Sequence, residues 1–426
     1  MKFKIITLGC KVNTYESEYM LEHLLSSGYF YCEENPDIVI INTCSVTNMA
    51  DSKSLKIVRR VKREHPGVIM VVCGCSVQNN SSKYENLGID ILIGNREKSK
   101  IVSLIENYKK THQKYYYLTK ERNLDFENMQ VEQFTTHTRA FIKIQDGCNN
   151  FCSYCIIPYT RGNIRSKEFN AVINEAETLV KNGHKEIVLT GIHTGSYFDN
   201  GHDLSDLLVE LSKIKELDRI RISSIEITEL DDKFLKVLKE TPKICNHLHI
   251  PLQSGSEEGL KRMNRKYDKE YFRKKIEEIR KIRPDISITT DCIVGHPYET
   301  DENFEEYLAF CKEIEFSKIH VFPYSLRDGT ASAKMPQIDP SIKKERARKL
   351  IALSDLEEQE YIAKFLNKEL EVLTEEYSGS YTVGHTSNYL KIYLTGEYLL
   401  NNKYLCKIEK IENNIGYASI ISCVKN

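Results

Sequence analysis

Six short β-rich runs, at 140–144, 186–189, 219–223, 247–250, 286–290 and 318–322, recur through the middle of the chain, and helical patterning follows each one. Strands separated by helices return in the same direction through right-handed crossovers, so they lie side by side in a parallel sheet. Six such units predict a partial (β/α)6 barrel, with a site on the loops at the strand C-termini.

The class is α/β, but the chain is not uniform. At 426 residues it exceeds one compact core, and its length suggests about three domains. Residues 1–110 alternate apolar runs (FKIITL, DIVIIN, VIMVVC, DILIG) with amphipathic stretches, which predicts an N-terminal parallel α/β domain. Asn13 with Glu16 three residues on reads as a capping box, and Pro66 with Gly67 stops a helix over 47–64. Residues 111–133 are polar and weakly periodic, a linker with one extended piece. The barrel occupies 134–364 and ends in a long charged helix, and 365–426 alternates with Gly and Asn turns, as a small all-β barrel does.

Lys plus Arg number 60 against 61 Asp plus Glu, so affinity for a nucleic acid must come from local basic faces. No apolar run approaches the ~18–20 residues of a membrane span, and the stretch before Gly9 is too brief for a secretory signal. A cytoplasmic protein with no membrane partner is expected. In a reducing compartment, thirteen cysteines point to metal or redox chemistry in preference to disulfides.

Cys148, Cys152 and Cys155 form C-x3-C-x2-C in DGCNNFCSYC, directly after the first barrel strand. Three thiolates in one tight loop can ligate three irons of a 4Fe-4S cube and leave the fourth iron open to a chelating small molecule. A zinc knuckle is the competing reading; it needs a fourth ligand, and no Cys or His follows Cys155 before His184. Cys10, Cys44 and Cys75 each follow an expected strand, in TLGC, INTC and CGC. Strand C-termini of a parallel sheet share one edge, so these three converge as a second three-thiolate site, unless they are simply small buried hydrophobes. Cys73 rivals Cys75, but Cys75 lies past the strand end after the flexible Gly74. Cys32, Cys245, Cys292, Cys311, Cys406 and Cys423 have no such placement and are expected in the core.

With these residues the chain resembles the radical S-adenosylmethionine (SAM) superfamily. The runs DGCNNFCSYCIIPYTRG, TLGCKVNTYESE, NTCSVTN, LQSGS and IVGHPYETDENF resemble, more narrowly, the methylthiotransferases. TLGCKVN, around the first cysteine, is similar to the motif of the branch that acts on N6-threonylcarbamoyladenosine at tRNA position 37. The resemblance implies two 4Fe-4S clusters and SAM as cofactors, with Cys148, Cys152 and Cys155 carrying the catalytic cluster and Cys10, Cys44 and Cys75 the auxiliary one. It implies that one-electron cleavage of SAM gives a 5′-deoxyadenosyl radical that takes hydrogen from adenine C2, and that the auxiliary cluster presents methylated sulfur. A tRNA, a low-potential electron donor, a sulfur donor and a TRAM-like C-terminal barrel belong to the same implication. Within the family the alternatives are isopentenyladenosine-37 tRNA or a ribosomal-protein Asp as substrate. Outside it, the alternative is a non-catalytic iron-sulfur RNA-binding protein.

Further residues follow from the resemblance. Tyr154 stands where the superfamily places an aromatic beside the adenine. Thr190 and Gly191, in VLTGIHTG, stand where a Gly-Gly-Glu run often binds the methionine amine, although the Glu is missing here. Ser224 and Glu226 after the third strand, Gln253 and Ser254 after the fourth, and Gly295 after the fifth are expected at the barrel mouth on cofactor duty. Arg161, Arg165 and Arg327 lie near those loops, and Arg161 or Arg327 would suit the carboxylate of a threonylcarbamoyl group. Lys56, Arg59, Arg60 and Arg63 make a helical basic stripe that fits RNA phosphates or a merely solvated face. From Asn367 on there are six lysines, seven glutamates and no arginine, so no strong electrostatic clamp is expected there. Tyr381, Tyr389, Tyr393 and Tyr417 can stack bases or pack the small barrel.

Overall fold

β3 (Ile38–Thr43) is buried at every position because helices cover both faces of its sheet. In the computed structural model, which describes residues 1–135 and 137–424, it lies within a parallel sheet of β1 (Lys2–Thr7), β2 (Phe30–Tyr31), β3, β4 (Ile69–Gly74), β5 (Ile91–Ile93) and β6 (Tyr115–Tyr117). The order is β2-β1-β3-β4-β5-β6. Ile38 and Ile40 pack with α1 (Lys11–Ser26) and α4 (Ile101–Thr111), while Val39 and Ile41 pack with α2 (Asn48–Glu64) and Val77 of α3 (Cys75–Asn80). The stretch read as a linker supplies the edge strand β6, and Met129, Val131 and Phe134 beyond it are buried in the main core. Three apolar anchors in a polar segment leave too weak a pattern for sequence to register.

The start of α1 departs from expectation. Its N-cap is Cys10 with no side-chain cap; Asn13 Nδ2 donates instead to the carbonyls of Leu8 (2.6 Å) and Thr43 (3.0 Å). Glu16 is fully buried in ion pairs, so no capping box forms. Tertiary partners drew both side chains away from the local cap. α2 is capped as its sequence suggests, Thr47 Oγ1 accepting from Ala50 N at 3.1 Å.

The six central runs become β7 (Ala140–Lys143), β10 (Glu186–Thr190), β13 (Arg219–Ile222), β14 (His247–His249), β15 (Ser287–Val294) and β16 (Lys318–Pro323). They form two parallel three-stranded sheets, β13-β10-β7 and β14-β15-β16, and Cys245 N bonds Ile220 O at 2.9 Å across the seam. Two short antiparallel pairs, β8 (Gln145–Asp146) with β9 (Arg165–Ser166) and β11 (Phe198–Asp199) with β12 (His202–Asp203), decorate the loops. Helices α5 (Ile157–Arg161), α6 (Phe169–Lys181), α7 (Leu204–Ser212), α8 (Asp232–Glu240), α9 (Glu257–Arg262), α10 (Lys269–Ile282), α11 (Asp301–Ile314) and α12 (Pro340–Ala363) complete the units. Strand alternation separates a polar inner face, with Glu186, Arg219 and Arg221, from outer residues such as Ile187, Ile220 and Ile222.

Finally β17 (Glu369–Ser378), β18 (Tyr381–Thr386), β19 (Lys391–Thr395), β20 (Lys403–Glu412) and β21 (Ile415–Cys423) close into a barrel ordered β17-β18-β19-β21-β20. Its core of Val372, Ile392, Leu394 and Ile408 packs on Tyr361, Ile362 and Phe365 at the end of α12. Four of the six cysteines expected in the core are there; Cys32, after the edge strand β2, is half-buried, and Cys423, at the end of β21, is exposed. Among the described residues no helix is long and apolar enough to cross a membrane.

Candidate active site

The loop holding Cys148, Cys152 and Cys155 joins β8 to α5 and is pinned along its length. Cys148 N bonds Gly162 O at 3.1 Å, Cys155 N bonds Cys152 O at 2.9 Å, and Ser153 N bonds Met263 O at 3.1 Å. Burial, with the neighbouring Cys152 and Cys148, pushes the Cys155 thiol up to about 12. Cationic donors approach the other two sulfurs: Arg265 Nη1 lies 3.4 Å from Cys152 Sγ, and His193 Nδ1 lies 3.9 Å from Cys148 Sγ. Burial alone would lower the His193 pKa, but Cys148 and Glu229, the latter 2.6 Å from Nε2, bring it up to about 10.

Because β1, β3 and β4 are neighbours, their C-terminal ends bring Cys10, Cys44 and Cys75 to one sheet edge. Two glycines permit the approach. A Cβ on Gly9 (φ +102°) would lie 2.6 Å from Cys44 Cβ, and one on Gly74 (φ +105°) would lie 2.5 Å from Thr43 O. Burial raises the Cys44 thiol to about 11, and Cys75 and Cys10 add to the effect. Cys73 goes elsewhere: its Sγ faces Asn42 Oδ1 at 3.7 Å inside the main core, and burial raises it to about 12. Among the described residues, no three Cys, His, Asp or Glu side chains converge as a single-ion site requires. A 4Fe-4S cube takes each thiolate on a different iron, and three thiolates per trio are the donor set that such a cube with one open iron requires.

A buried ionic network lies between the trios. Glu16 of α1 receives Lys98 of the first sheet's domain, and also Lys143 (2.8 Å) and Arg161 (3.2 Å) from the barrel. Asp146 receives Lys143 (2.8 Å), Arg161 (3.1 Å) and Arg165 (2.9 Å). Burial opposes ionisation of Glu16, yet Lys143, Lys98 and Arg161 hold it well below the ordinary carboxylate range. Arg161 and Arg165, expected near the substrate, are therefore committed to buried carboxylates. Arg327 is committed too, to Asp51 (2.7 Å), Asn48 (2.7 Å) and Ser45 (3.1 Å), which ties the loop after Cys44 to the barrel. Arg327 nevertheless lines the cavity beside Cys155, and the Nε atoms of Arg161, Arg165 and Arg327 are buried without a hydrogen-bond partner among the described residues.

A cavity of about 180 Å³ opens between the two sets, lined by Tyr154, Cys155, Gln253 and Asp291 from the barrel and by Val46 and Thr47 from the loop after Cys44. Of the other residues expected on cofactor duty, Thr190 is buried at the end of β10, Ser224 is half-buried past β13, and Gly191 lies against Gln145, whose Oε1 accepts from Ile192 N and His193 N. Glu226 is held by Arg265. Ser254 turns inward, its Oγ accepting from Ser256 N at 3.3 Å, and Gly295 N donates to Glu299 Oε1 at 2.9 Å. Those two serve the loop's own geometry. Lys56, Arg59, Arg60 and Arg63 all lie on the exposed face of α2, opposite the buried Val58 and Val61. Tyr381, Tyr393 and Tyr417 cluster, with centroids 5.2 to 5.7 Å apart, whereas Tyr389, in the loop between β18 and β19, stacks on His385 and accepts from Arg139 Nη1 at 3.0 Å.

Sequence reasoning left out His193, Arg265 and Asp291. His193 carried a signal, lying just past Gly191 where the Glu is missing; Arg265 and Asp291 meet the site only through the fold.

The radical SAM superfamily profile matches residues 142–311, and that of the uncharacterized protein family UPF0004 matches residues 2–94. The chain is 43% identical over 406 residues to the threonylcarbamoyladenosine tRNA methylthiotransferase MtaB of Bacillus subtilis, covering 92% of this chain and 89% of that one. Its Aquifex aeolicus counterpart is 37% identical, covering 88% and 93%, and the tRNA-2-methylthio-N(6)-dimethylallyladenosine synthase of Alkaliphilus oremlandii is 35% identical, covering 88% and 82%. Among solved structures, the radical SAM methyltransferase TsrM of Kitasatospora setae shares the fold, with a TM-score of 0.55 at 14% identity over 76% of this chain and 74% of that one. With one cysteine trio at the barrel mouth, a second along the neighbouring sheet edge, and relatives of this kind along nearly its whole length, the chain belongs to the radical SAM methylthiotransferases, in the MtaB family.

Proposed function

We propose that this protein replaces the C2–H of N6-threonylcarbamoyladenosine at tRNA position 37 with C2–S–CH3. The observation that carries the reading is the single cavity bounded by Cys155 on one wall and by the residues after Cys44 on the other, which brings hydrogen abstraction and sulfur delivery to one atom. Cys148, Cys152 and Cys155 would hold one 4Fe-4S cluster with SAM at its open iron, and Cys10, Cys44 and Cys75 a second. Together these groups supply one-electron cleavage, hydrogen abstraction and sulfur.

The chain's own residues bind, orient and shield. Arg265 and His193 place donors against the sulfurs of Cys152 and Cys148 and orient them within the loop. Tyr154 and Gln253 shape the wall against which an adenine would lie, and Ile293 and Phe322 keep that wall apolar. Glu16 and Asp146, through their shared cations, fix the spacing of the two trios. The exposed stripe of Lys56, Arg59, Arg60 and Arg63 would meet phosphates of the anticodon arm. A low-potential electron donor and a sulfur donor complete the turnover in the cytoplasm.

The test offers the reconstituted enzyme tRNAs bearing either modification and reads nucleosides by mass spectrometry. We expect 2-methylthio product from the threonylcarbamoyl form. Conversion of isopentenyladenosine tRNA alone rejects the substrate, and absence of both product and 5′-deoxyadenosine rejects the chemistry.

A further inference from the structure

The loop that follows Cys44 is held by the barrel on both sides of one residue. Asn48 N donates to Ser325 Oγ (3.0 Å) and Asn48 Nδ2 to the carbonyl of Leu326 (2.9 Å). Arg327 donates to Asn48 Oδ1 and Asp51 Oδ2 (2.7 Å each) and to Ser45 Oγ (3.1 Å). Met49 sits inside this frame, and its side chain is 82% exposed, more than any other large apolar side chain among the described residues.

Two surfaces meet there. Val46, three residues earlier, lines the cavity beside Cys155 and is 56% exposed; Phe322, also on that cavity, is 42% exposed, so the lip is apolar. In the other direction Met49, Lys53, Lys56, Arg60 and Arg63 follow at intervals of four, three, four and three residues, which places them on one face of α2, and all five are exposed. That face runs roughly 21 Å. Glu64 lies 3.8 Å from Arg60 and 3.5 Å from Arg63, exposed pairs that leave the stripe basic. An apolar tip therefore heads a basic stripe, close to the rim of the cavity.

Because the frame fixes the backbone beneath Met49, little freedom remains to be lost when a partner covers the tip. The stripe selects a polyanion. An RNA offers apolar base faces between its phosphates, and an acidic protein is the other candidate. The cavity favours RNA: a purine reaches it only by leaving its stack, which strands the bases on either side, and an apolar side chain beside the rim can fill the gap.

We propose that Met49 is a wedge that stacks against the bases flanking position 37 once that nucleotide has turned into the cavity, while Lys53 and Lys56 hold the adjoining phosphates. This rests on the reaction proposed above.

The experiment measures binding of the reconstituted full-length enzyme to two anticodon stem-loop RNAs carrying threonylcarbamoyladenosine, one intact and one abasic at the two nucleotides flanking it. Met49→Ala and Met49→Leu are compared with wild type, with iron per chain and melting temperature read in each; an exposed side chain should leave both unchanged. Met49→Ala should bind the intact RNA about 5- to 10-fold more weakly, the lower end of the range for stacking on one base, and Met49→Leu within about twofold of wild type. Towards the abasic RNA all three proteins should agree within about twofold, because the partner of the wedge is gone. Lys53→Ala should flatten the dependence of affinity on salt, and Met49→Ala should not. Unchanged binding of intact RNA by Met49→Ala removes the residue from the RNA contact. Equal weakening towards both RNAs, or a flattened salt dependence, places it away from the flanking bases. Unchanged RNA binding with slower reduction of the clusters by flavodoxin gives the tip to a protein partner. Each of these results overturns the proposal. Methylthio product from wild type is measured in the same preparation, and its absence alongside the expected binding pattern rejects the reaction and leaves the wedge in place.

Discussion

Cys73 and Cys75 carry the same thiol two positions apart, and one glycine sends them to different chemistry. Strand alternation suggests a shared face, but β4 ends at Gly74, whose φ of +105° turns Cys75 out to join Cys10 and Cys44 while Cys73 stays in the core. Cys75→Ala should therefore lose about half the iron and all methylthio product while still releasing 5′-deoxyadenosine. Cys73→Ala should keep iron and product and cost on the order of 1 kcal/mol of stability, read as a lower melting temperature. The opposite pattern moves the ligand by two positions. The cysteines were legible because strand ends and a tight spacing mark them. Arg265 carries no such mark, because it reaches Cys152 only through the fold, more than a hundred residues away in sequence.

At the scale of elements, the repeating strand and helix patterns carried most of the fold, and the discrepancies arose where a side chain had a distant partner. β6 and the uncapped start of α1 are two cases; α12 holds a third. This helix reads as a charged surface element, yet Glu357 on it is only 6% exposed. Burial, with Glu360 and Glu315 nearby, raises its carboxyl to about 8, and Arg280 offsets only part of this. The folded protein thus keeps a proton there that the unfolded chain gives up in the ordinary carboxylate range. Between that range and about pH 8 the native state binds more protons, so this residue's contribution to stability falls as pH rises. Glu357→Gln should raise the melting temperature more at pH 8 than at pH 5. An equal shift at both values would mean that Glu357 is already ionised at the lower pH.

For the whole molecule, the decisive contacts join residues remote in sequence: Glu16 with Lys143 and Arg161, Asp51 with Arg327, and Arg219 with the carbonyls of His385 and Glu371, each at 2.9 Å. Domain identity was readable along the chain; domain docking was not, since no local pattern encodes which buried cation meets which carboxylate. Glu16→Gln would leave Lys98, Lys143 and Arg161 short of an anion. We expect a loss of about 3–5 kcal/mol, seen as a lower melting temperature and as faster proteolysis between α4 and β7. An unchanged cleavage pattern would show that apolar packing alone sets the spacing of the trios.

The grip of Arg219 and Arg221 on the small barrel bears on how an RNA is captured. A module swinging on a tether could fish for its target and reel it in, whereas this one is clamped by guanidinium groups to the rim of the catalytic barrel. With formal charges nearly cancelling over the chain, long-range attraction also contributes little. Capture then becomes a rigid encounter whose frequency is limited by orientation, in the range of roughly 10⁵–10⁷ M⁻¹s⁻¹, and discrimination among tRNAs falls to how long each one stays.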